Sequence, residues 1–569
     1  MSLLNSASLV VTPNGYKEGT LYSVIPNTTL GDMTVVRATT ATRVNSAGLI
    51  ELVPYNLLQY SEQLNNAFWN IAASGSATFT VTANQTTAPN GTNTADLITI
   101  TRSATSELSA IYTNVGQGLG TFKNSVWLKA KDNSNVGKTI DLWSWEGLTR
   151  GYTKITLTAD WVRYEQDTTV FSVSGAELFD FGLLPISYST STTLAVEFYI
   201  WGAQSVQGST AKTYFPTTNR INIPRLDYSN GTCPSLLVEP QRTNLMTYSE
   251  QLDNAAWTAT AITVTANATT SPDGTTNADK LIPTNVSAFH NLYNYNAVLT
   301  GNYSFSVFVK KGGYNFVSLQ DQFSGVFNSC FDLVNGTVTT FVGSSNIKSY
   351  GNDWFLCSVT GNGVGTTVIP SIVPANAISS FPIFTGNGTD GIFAWGVQFE
   401  AGAYPTSYIP TTSAAVTRNA DVISKTGISA LIGQTEGTLF VDVDYDSAIV
   451  GNKMLLGLAN NVSNFIYLFI DISTIVCNIF SGGTPQCSLQ YILPSNARYK
   501  IAVAYKNNDF LLYVNGTQVA IDTSGSVPST SVMYLGNDFT SVYNTENINS
   551  AVLFPTRLTN AELASLTTL

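Results

Sequence analysis

Residues Asn56–Trp69 read NLLQYSEQLNNAFW, and residues Asn244–Trp257 read NLMTYSEQLDNAAW, the same phrase without a gap. Further matches follow in the same order. APNGTNTADLI (Ala88–Ile98) is answered by SPDGTTNADKLI (Ser271–Ile282), and SVWLKA (Ser125–Ala130) by SVFVKK (Ser306–Lys311). WGAQ (Trp201–Gln204) is answered by WGVQ (Trp395–Gln398), and TYFPTT (Thr213–Thr218) by SYIPTT (Ser407–Thr412). An ordered series of this kind marks a duplicated domain. Its opening phrase predicts a short helical turn, with Leu64 and Trp69 in one copy and Leu252 and Trp257 in the other capping one end of the fold. Trp201 and Trp395 are expected in the core, where large aromatic side chains bury most apolar area.

Inside each copy, runs such as ATFTVTA and YSFSVFVK alternate apolar and polar residues, separated by Asn, Gly, Pro and Asp. That is the punctuation of antiparallel strands and turns, and long stretches of 3.6-residue period are missing. Each copy is therefore expected to be a two-sheet jelly-roll sandwich.

Composition agrees. Only 11% of the 569 residues are charged, and Thr, Ser, Asn and Gly make up much of the polar content. A surface made neutral by hydroxyls and amides suits a β-rich extracellular or virion protein. The formal net charge of −11, with no Lys/Arg cluster, argues against nucleic acid as a partner. No apolar stretch is long enough to insert in a membrane, and the first residues lack the basic start of a secretory signal. Five scattered cysteines give neither a disulfide framework nor a metal motif. Of these, Cys330 and Cys357 lie in strand-like runs of one domain that could bring them together.

The run LLVEPQRTNLMTYSEQLDNAAW (Leu236–Trp257), closed by GIFAWGVQFEAGAYPTSYIPTTSAAVTRNADV (Gly391–Val422), closely resembles a carbohydrate-binding-module-like jelly roll of bacteriophage tail and virion fibre proteins. The first copy resembles it more loosely, carrying SVQGSTAKT (Ser205–Thr213) where the second has FEAGAYPTS. RATTATRVNSAGLIE (residues 37–51) resembles the leader of that module. Beyond residue 426, EGTLFVDVDYD, RYKIAVAYKNNDFLLYVNGTQVA and INSAVLFPTRLTNAELASL resemble the closing strands of laminin-G/concanavalin A-like sandwiches. There Asn515-Gly516 signals a tight hairpin, and Thr559 with Glu562 a capping box on a short terminal helix.

The expected fold is thus all-β: an N-terminal virion-docking or oligomerisation arm (1–48), a first jelly roll (49–219), a connecting segment (220–243), a second jelly roll (244–425) and a concanavalin A-like domain (426–569). A plain leading hairpin is the other reading of the first residues.

Catalytic vocabulary is sparse. The single histidine, His290, has no nucleophile motif beside it, and HExxH, Walker A and Rossmann patterns are missing. No catalytic residue and no cofactor is assigned. In VDVDYD, the period of two puts Asp442, Asp444 and Asp446 on one strand face, as solvent-facing acids, a structural calcium site, polar sugar contacts or a hydrolytic pair. In DLWSWEG, Trp143 and Trp145 are two apart and project from one strand face, either stacking on sugar rings or packing in the core; their counterparts in the second copy read as Leu319 and Asp321. Carbohydrate binding is therefore expected at Trp143, Trp145, Asp442 and Asp444.

The resemblance implies a phage fibre protein made in the bacterial cytoplasm and displayed on the virion. Its expected partners are itself as a homo-oligomer, most often a trimer, phage capsid or tail proteins through the N-terminal arm, and a host-surface glycan. A fibre-borne polysaccharide depolymerase and a purely architectural decoration protein are the alternatives.

Overall fold

Period-two alternation puts Leu439, Val441 and Val443 of the strand Glu436–Tyr445 into one core, while Phe440 on its other face packs under the C-terminal helix. In the computed structural model, which describes residues 3–113, 120–145, 149–166, 169–171, 177–322, 325–538 and 547–569, this strand lies in a 16-stranded sheet. The chain is all-β, with the one α-helix among the described residues at Asn560–Thr567. That helix starts as its sequence predicts: Thr559 Oγ1 accepts from the Glu562 amide and Glu562 Oε2 accepts from the Thr559 amide.

From one end of the large sheet the strand order is Thr484–Ile492, Thr474–Ser481, Asn464–Asp471, Lys453–Asn461, Val532–Leu535 and Val422–Lys425. It continues Met33–Val36, Thr20–Ile25, Leu9–Lys17, Asn547–Phe554, Glu436–Tyr445, Ala497–Lys506, Asp509–Val514 and Thr517–Asp522. Side chains from both halves meet in a single core, so the sheet curls over itself as a sandwich.

The N-terminal segment is not an arm. Leu9, Val10 and Val11 pair with Leu553, Val552 and Ala551, while Thr34–Val36 pair with Val422–Ser424. Leu9, Leu21 and Met33 are completely buried. Each strand is too short to make a core of its own but carries one apolar face, which is covered by joining strands more than 380 residues away in the chain. Nor is 220–243 a plain connection: Arg225–Asp227 and Ser235–Leu237 form a hairpin, and Leu236 pairs with Ile548 of the same sheet.

The chain consequently divides into two compact units, 53–220 and a second made of 1–52 with 221–569. Within the second unit, residues 244–416 are an insertion into the C-terminal sandwich, carried on the short paired strands Arg242–Asn244 and Val416–Arg418.

Buried charge marks the places where the chain leaves and rejoins this sandwich. Arg37 and Arg225 both bind Asp421, while Arg225 and Arg418 each place Nη1 2.7 Å from Glu239 Oε2. Burial opposes ionisation of Glu239, but Arg418 and Arg225 outweigh it and hold its carboxyl down to about 2. Asp421 is likewise pushed up by burial and, more strongly, down by its arginines.

The two inserted repeats share one strand order. In the first, a sheet runs Val162–Glu165, Gly120–Ala130, Ala195–Gln207, Ala95–Thr101, Thr78–Thr86; in the second, Phe355–Val368, Ala297–Gly312, Gly391–Ala401, Ala278–Pro283, Ile262–Thr269. The facing sheet runs Trp69–Ala73, Ser109–Thr113, Glu177–Leu183, Thr139–Trp145, Thr149–Thr156 in the first, and Thr258–Thr260, Asn291–Tyr293, Pro370–Ala375, Phe316–Asp321, Asn328–Asp332 in the second.

The duplicated phrase has the same work in both. Asn56 Nδ2 donates to the carbonyls of Ala203 and Phe215, and Asn244 Nδ2 to those of Val397 and Ile409, tying the first residues of each repeat to its last. Ser61 meets the Tyr214 hydroxyl at 2.8 Å and Ser249 that of Tyr408 at 2.6 Å. Trp69 and Trp257 are buried and donate from Nε1 to the carbonyls of Tyr60 and Tyr248, both at 3.2 Å. The expected helical turn is instead a string of i→i+3 turns, with the Gln63, Asn66 and Trp69 amides donating to Tyr60, Gln63 and Asn66.

Candidate functional site

The strand Ala297–Gly312 turns Phe305, Val307 and Val309 into the core of the second repeat, so Ser306 and Phe308 face the other way. Register extends that outer face across four strands: Asn346 lies beside Ser358, Ser358 beside Ser306, and Ser306 beside Gln398. A second row places Lys348 beside Leu356 and Leu356 beside Phe308. Ser306, Ser358 and Gln398 are buried in this face, Gln398 with its amide spent on Glu400, Thr406 and Ile409, so that Ser344, Asn346 and Lys348 of the edge strand Ser344–Ser349 supply the open polar groups to one wall of a cleft of about 730 Å³.

The opposite wall belongs to the C-terminal sandwich, where Asp444, the loop Asp446–Val450 and Asn496–Arg498 line the cleft. Asp444 pairs in register with Arg498. Arg498 reaches diagonally past it to Asp442, with Nε and Nη2 each 2.7 Å from a carboxylate oxygen. Asn549 Nδ2 donates to Asp442 at 3.3 Å and Asp444 at 3.1 Å, and Asn230 Nδ2 donates to Asp444 at 3.3 Å. Asp442 is 6% exposed in its side chain and Arg498 55%.

The floor comes from the hairpin of strands Ala41–Val44 and Ile50–Val53, the hairpin Arg225–Asp227 with Ser235–Leu237, and the SYIPTT segment. Asp227 accepts from the Val44 amide, joining the hairpins, and Glu239 accepts from the amide and hydroxyl of Ser407. Burial, with Asp227 and Glu239 adding to it, pushes the Tyr350 hydroxyl well above the ordinary tyrosine range.

The four residues expected to bind carbohydrate thus separate. Asp444 is on the cleft wall. Asp442 lies behind it, consumed by its ion pair. Trp143 and Trp145 belong to unit 53–220, and Trp143 is only 4% exposed, packed against Ala110 and Leu184. It has no free face to stack on a sugar. Its neighbour Leu142 pairs with Phe181 at the intersheet core, as Leu319 pairs with Ile372, so the counterpart of Trp143 is Gln320 and not Leu319. Trp145 is half-buried, edge-on to Tyr188 at 6.4 Å.

Sequence reasoning missed Arg498, Asn549, Asn230 and the Asn346–Gln398 row. Arg498 and the Asn346–Gln398 row acquire their places through strand pairing, Asn549 stands at the irregularity opposite Asp442 and Val443, and Asn230 in a hairpin turn; the usable signal was the alternation in SFSVFV, whose polar positions had to face something.

The remaining candidates are structural. His290 is buried with both ring nitrogens at backbone carbonyls, of Ala261 and Phe384. All five cysteines are free, Cys330 and Cys357 included. Among the described residues there is no group of three His, Cys, Asp or Glu that could hold a metal ion. No helix among the described residues is long and apolar enough to cross a membrane.

No protein-family model matches the sequence, and no curated protein matches it. Among solved structures, the botulinum neurotoxin serotype D binding domain is similar over 26% of this chain and 39% of its own, at 14% identity and a TM-score of 0.22. The serotype G binding domain is similar over the same shares, at 12% identity and a TM-score of 0.22. The NanB sialidase from Streptococcus pneumoniae is similar over 26% of each chain, at 17% identity and a TM-score of 0.23. The chain therefore spans about two-fifths of the length of the toxin binding domains.

Proposed function

We propose that this is a glycan-binding adhesion protein, carried as a homo-oligomer on a bacteriophage virion fibre, and that the cleft between the second repeat and the C-terminal sandwich receives the saccharide. The observation that carries the reading is the cleft's chemistry. One wall presents Ser344, Asn346 and Lys348 of an edge strand, backed by the buried Ser358, Ser306 and Gln398, and the other presents Asp444 and Arg498. Sugars are recognised by a few well-placed polar groups in a concave site, and this arrangement supplies them on both sides. The virion setting rests on the sequence resemblance. Copies presented together on one particle would multiply a weak single-site affinity by roughly 100-fold or more, so no deep pocket is required.

A glycan array probed with the full chain tests the reading. Asn346→Trp, which places an indole at the cleft mouth, is expected to abolish the signal while leaving the fold intact. Binding that survives this substitution would move the site elsewhere. New reducing ends appearing in a bound polysaccharide would replace adhesion by depolymerisation, and an array blank for every glycan would leave a decoration protein.

A further inference from the structure

We infer that Asp444 and Arg498 together hold a vicinal diol of a neutral sugar ring, Asp444 Oδ1 accepting from one hydroxyl and Arg498 Nη1 donating to the other. The inference rests on the reading of the cleft as a glycan site and specifies what that site takes.

Three observations lead to it. First, Arg498 spends Nε and Nη2 on Asp442, which leaves Nη1 with no hydrogen-bond partner among the described residues, on a side chain 55% exposed at the cleft wall. Second, Asp444 takes both amide donors, from Asn230 and Asn549, on Oδ2, leaving Oδ1 without a partner among the described residues. Third, the two side chains stand directly opposite each other on paired strands, and neither is free to swing. The bidentate grip of Asp442 fixes the guanidinium, and Asn549, donating to Asp442 and Asp444 at once, fixes the carboxylate beside it.

An open acceptor next to an open donor is complementary to two adjacent hydroxyls, each of which can give and take a hydrogen bond. It is poorly matched to a charged ligand. A carboxylate or sulfate drawn to Nη1 would lie against the Asp444 charge, and a cation drawn to Oδ1 would lie against Arg498. The pairing selects for neutrality.

The experiment measures retention of the full chain on films of dextran, mannan and polygalacturonate. Wild type is expected on a neutral film. Asp444→Ala and Arg498→Lys are each expected to lower retention about 10-fold or more, the loss that goes with a hydrogen bond to a charged group. Lysine keeps a cation for Asp442, and unchanged circular dichroism confirms folding. Retention on polygalacturonate alone, strengthened by Asp444→Asn, would overturn the inference and leave the cleft reading intact. So would retention on a neutral film that Asn346→Trp abolishes while Asp444→Ala and Arg498→Lys leave it unchanged. Retention indifferent to Asn346→Trp, or none on any film, would overturn the cleft reading and this inference with it.

Discussion

Replacing Glu239 by Gln removes one of two carboxylates from a buried set of three guanidiniums. Its Oε2 lies 2.7 Å from both Arg225 and Arg418, and its side chain is 12% exposed. A carboxyl held to about 2 from an ordinary 4.5 contributes about 3 kcal/mol of stability at neutral pH. Breaking a buried pair from one side independently suggests about 3–5 kcal/mol, because the remaining cations lose their compensation. The sign in pH follows from the lowered value. The contribution is complete above 4.5 and is lost as pH falls through 4.5 towards 2, where the wild-type carboxyl protonates and comes to resemble glutamine. Hydrogen exchange of the strands Leu9–Lys17 and Asn547–Phe554, which report opening of the sandwich, should show Glu239→Gln less stable by about 3 kcal/mol at pH 7. The gap should narrow steadily below pH 4. A difference under about 1 kcal/mol at pH 7, or one that persists unchanged in acid, would refute the account of this cluster.

Three further outcomes are expected. Deleting residues 3–36 should leave the sandwich unfolded or aggregated, since it strips Leu9, Leu21 and Met33 from the core, whereas excising 53–220 and joining its flanks by a short linker should leave the other unit protease-resistant; limited proteolysis distinguishes the two. Trp143→Ala should cost about 3–5 kcal/mol in thermal or urea unfolding, as a buried indole does, and leave glycan retention unchanged.

How much of this was readable in the sequence depended on distance along the chain. Local signals held. Asn515 and Gly516 take the positive φ values of 46° and 82° that a two-residue hairpin requires, and Thr559 caps the helix. The repeat declared itself because each copy keeps the polar ties, Asn56 and Asn244 or Ser61 and Ser249, that close it. What failed was long-range pairing. Alternation in residues 9–36 shows strands with one apolar face but not which strands will cover it, and the answer lay at residues 422–425 and 551–553. The site suffered likewise. Asp442 and Asp444 are indistinguishable by periodicity, and only the diagonal reach of Arg498 assigns one to an ion pair and leaves the other facing the cleft. Trp143 showed its face of the strand but not that Ala110 and Leu184 would cover it.

The neck of the second repeat has a topological consequence. Thr243 and Thr417 are hydrogen-bonded neighbours on paired strands, so the chain departs and returns one strand spacing apart, about 4.8 Å. A two-residue turn would bridge the same gap. Because the cost of closing a loop grows only with the logarithm of its length, the length spliced between these residues matters little to the host sheet. The position is a socket for cargo of many sizes, provided that its closing segment keeps a hydroxyl where Ser407 meets Glu239.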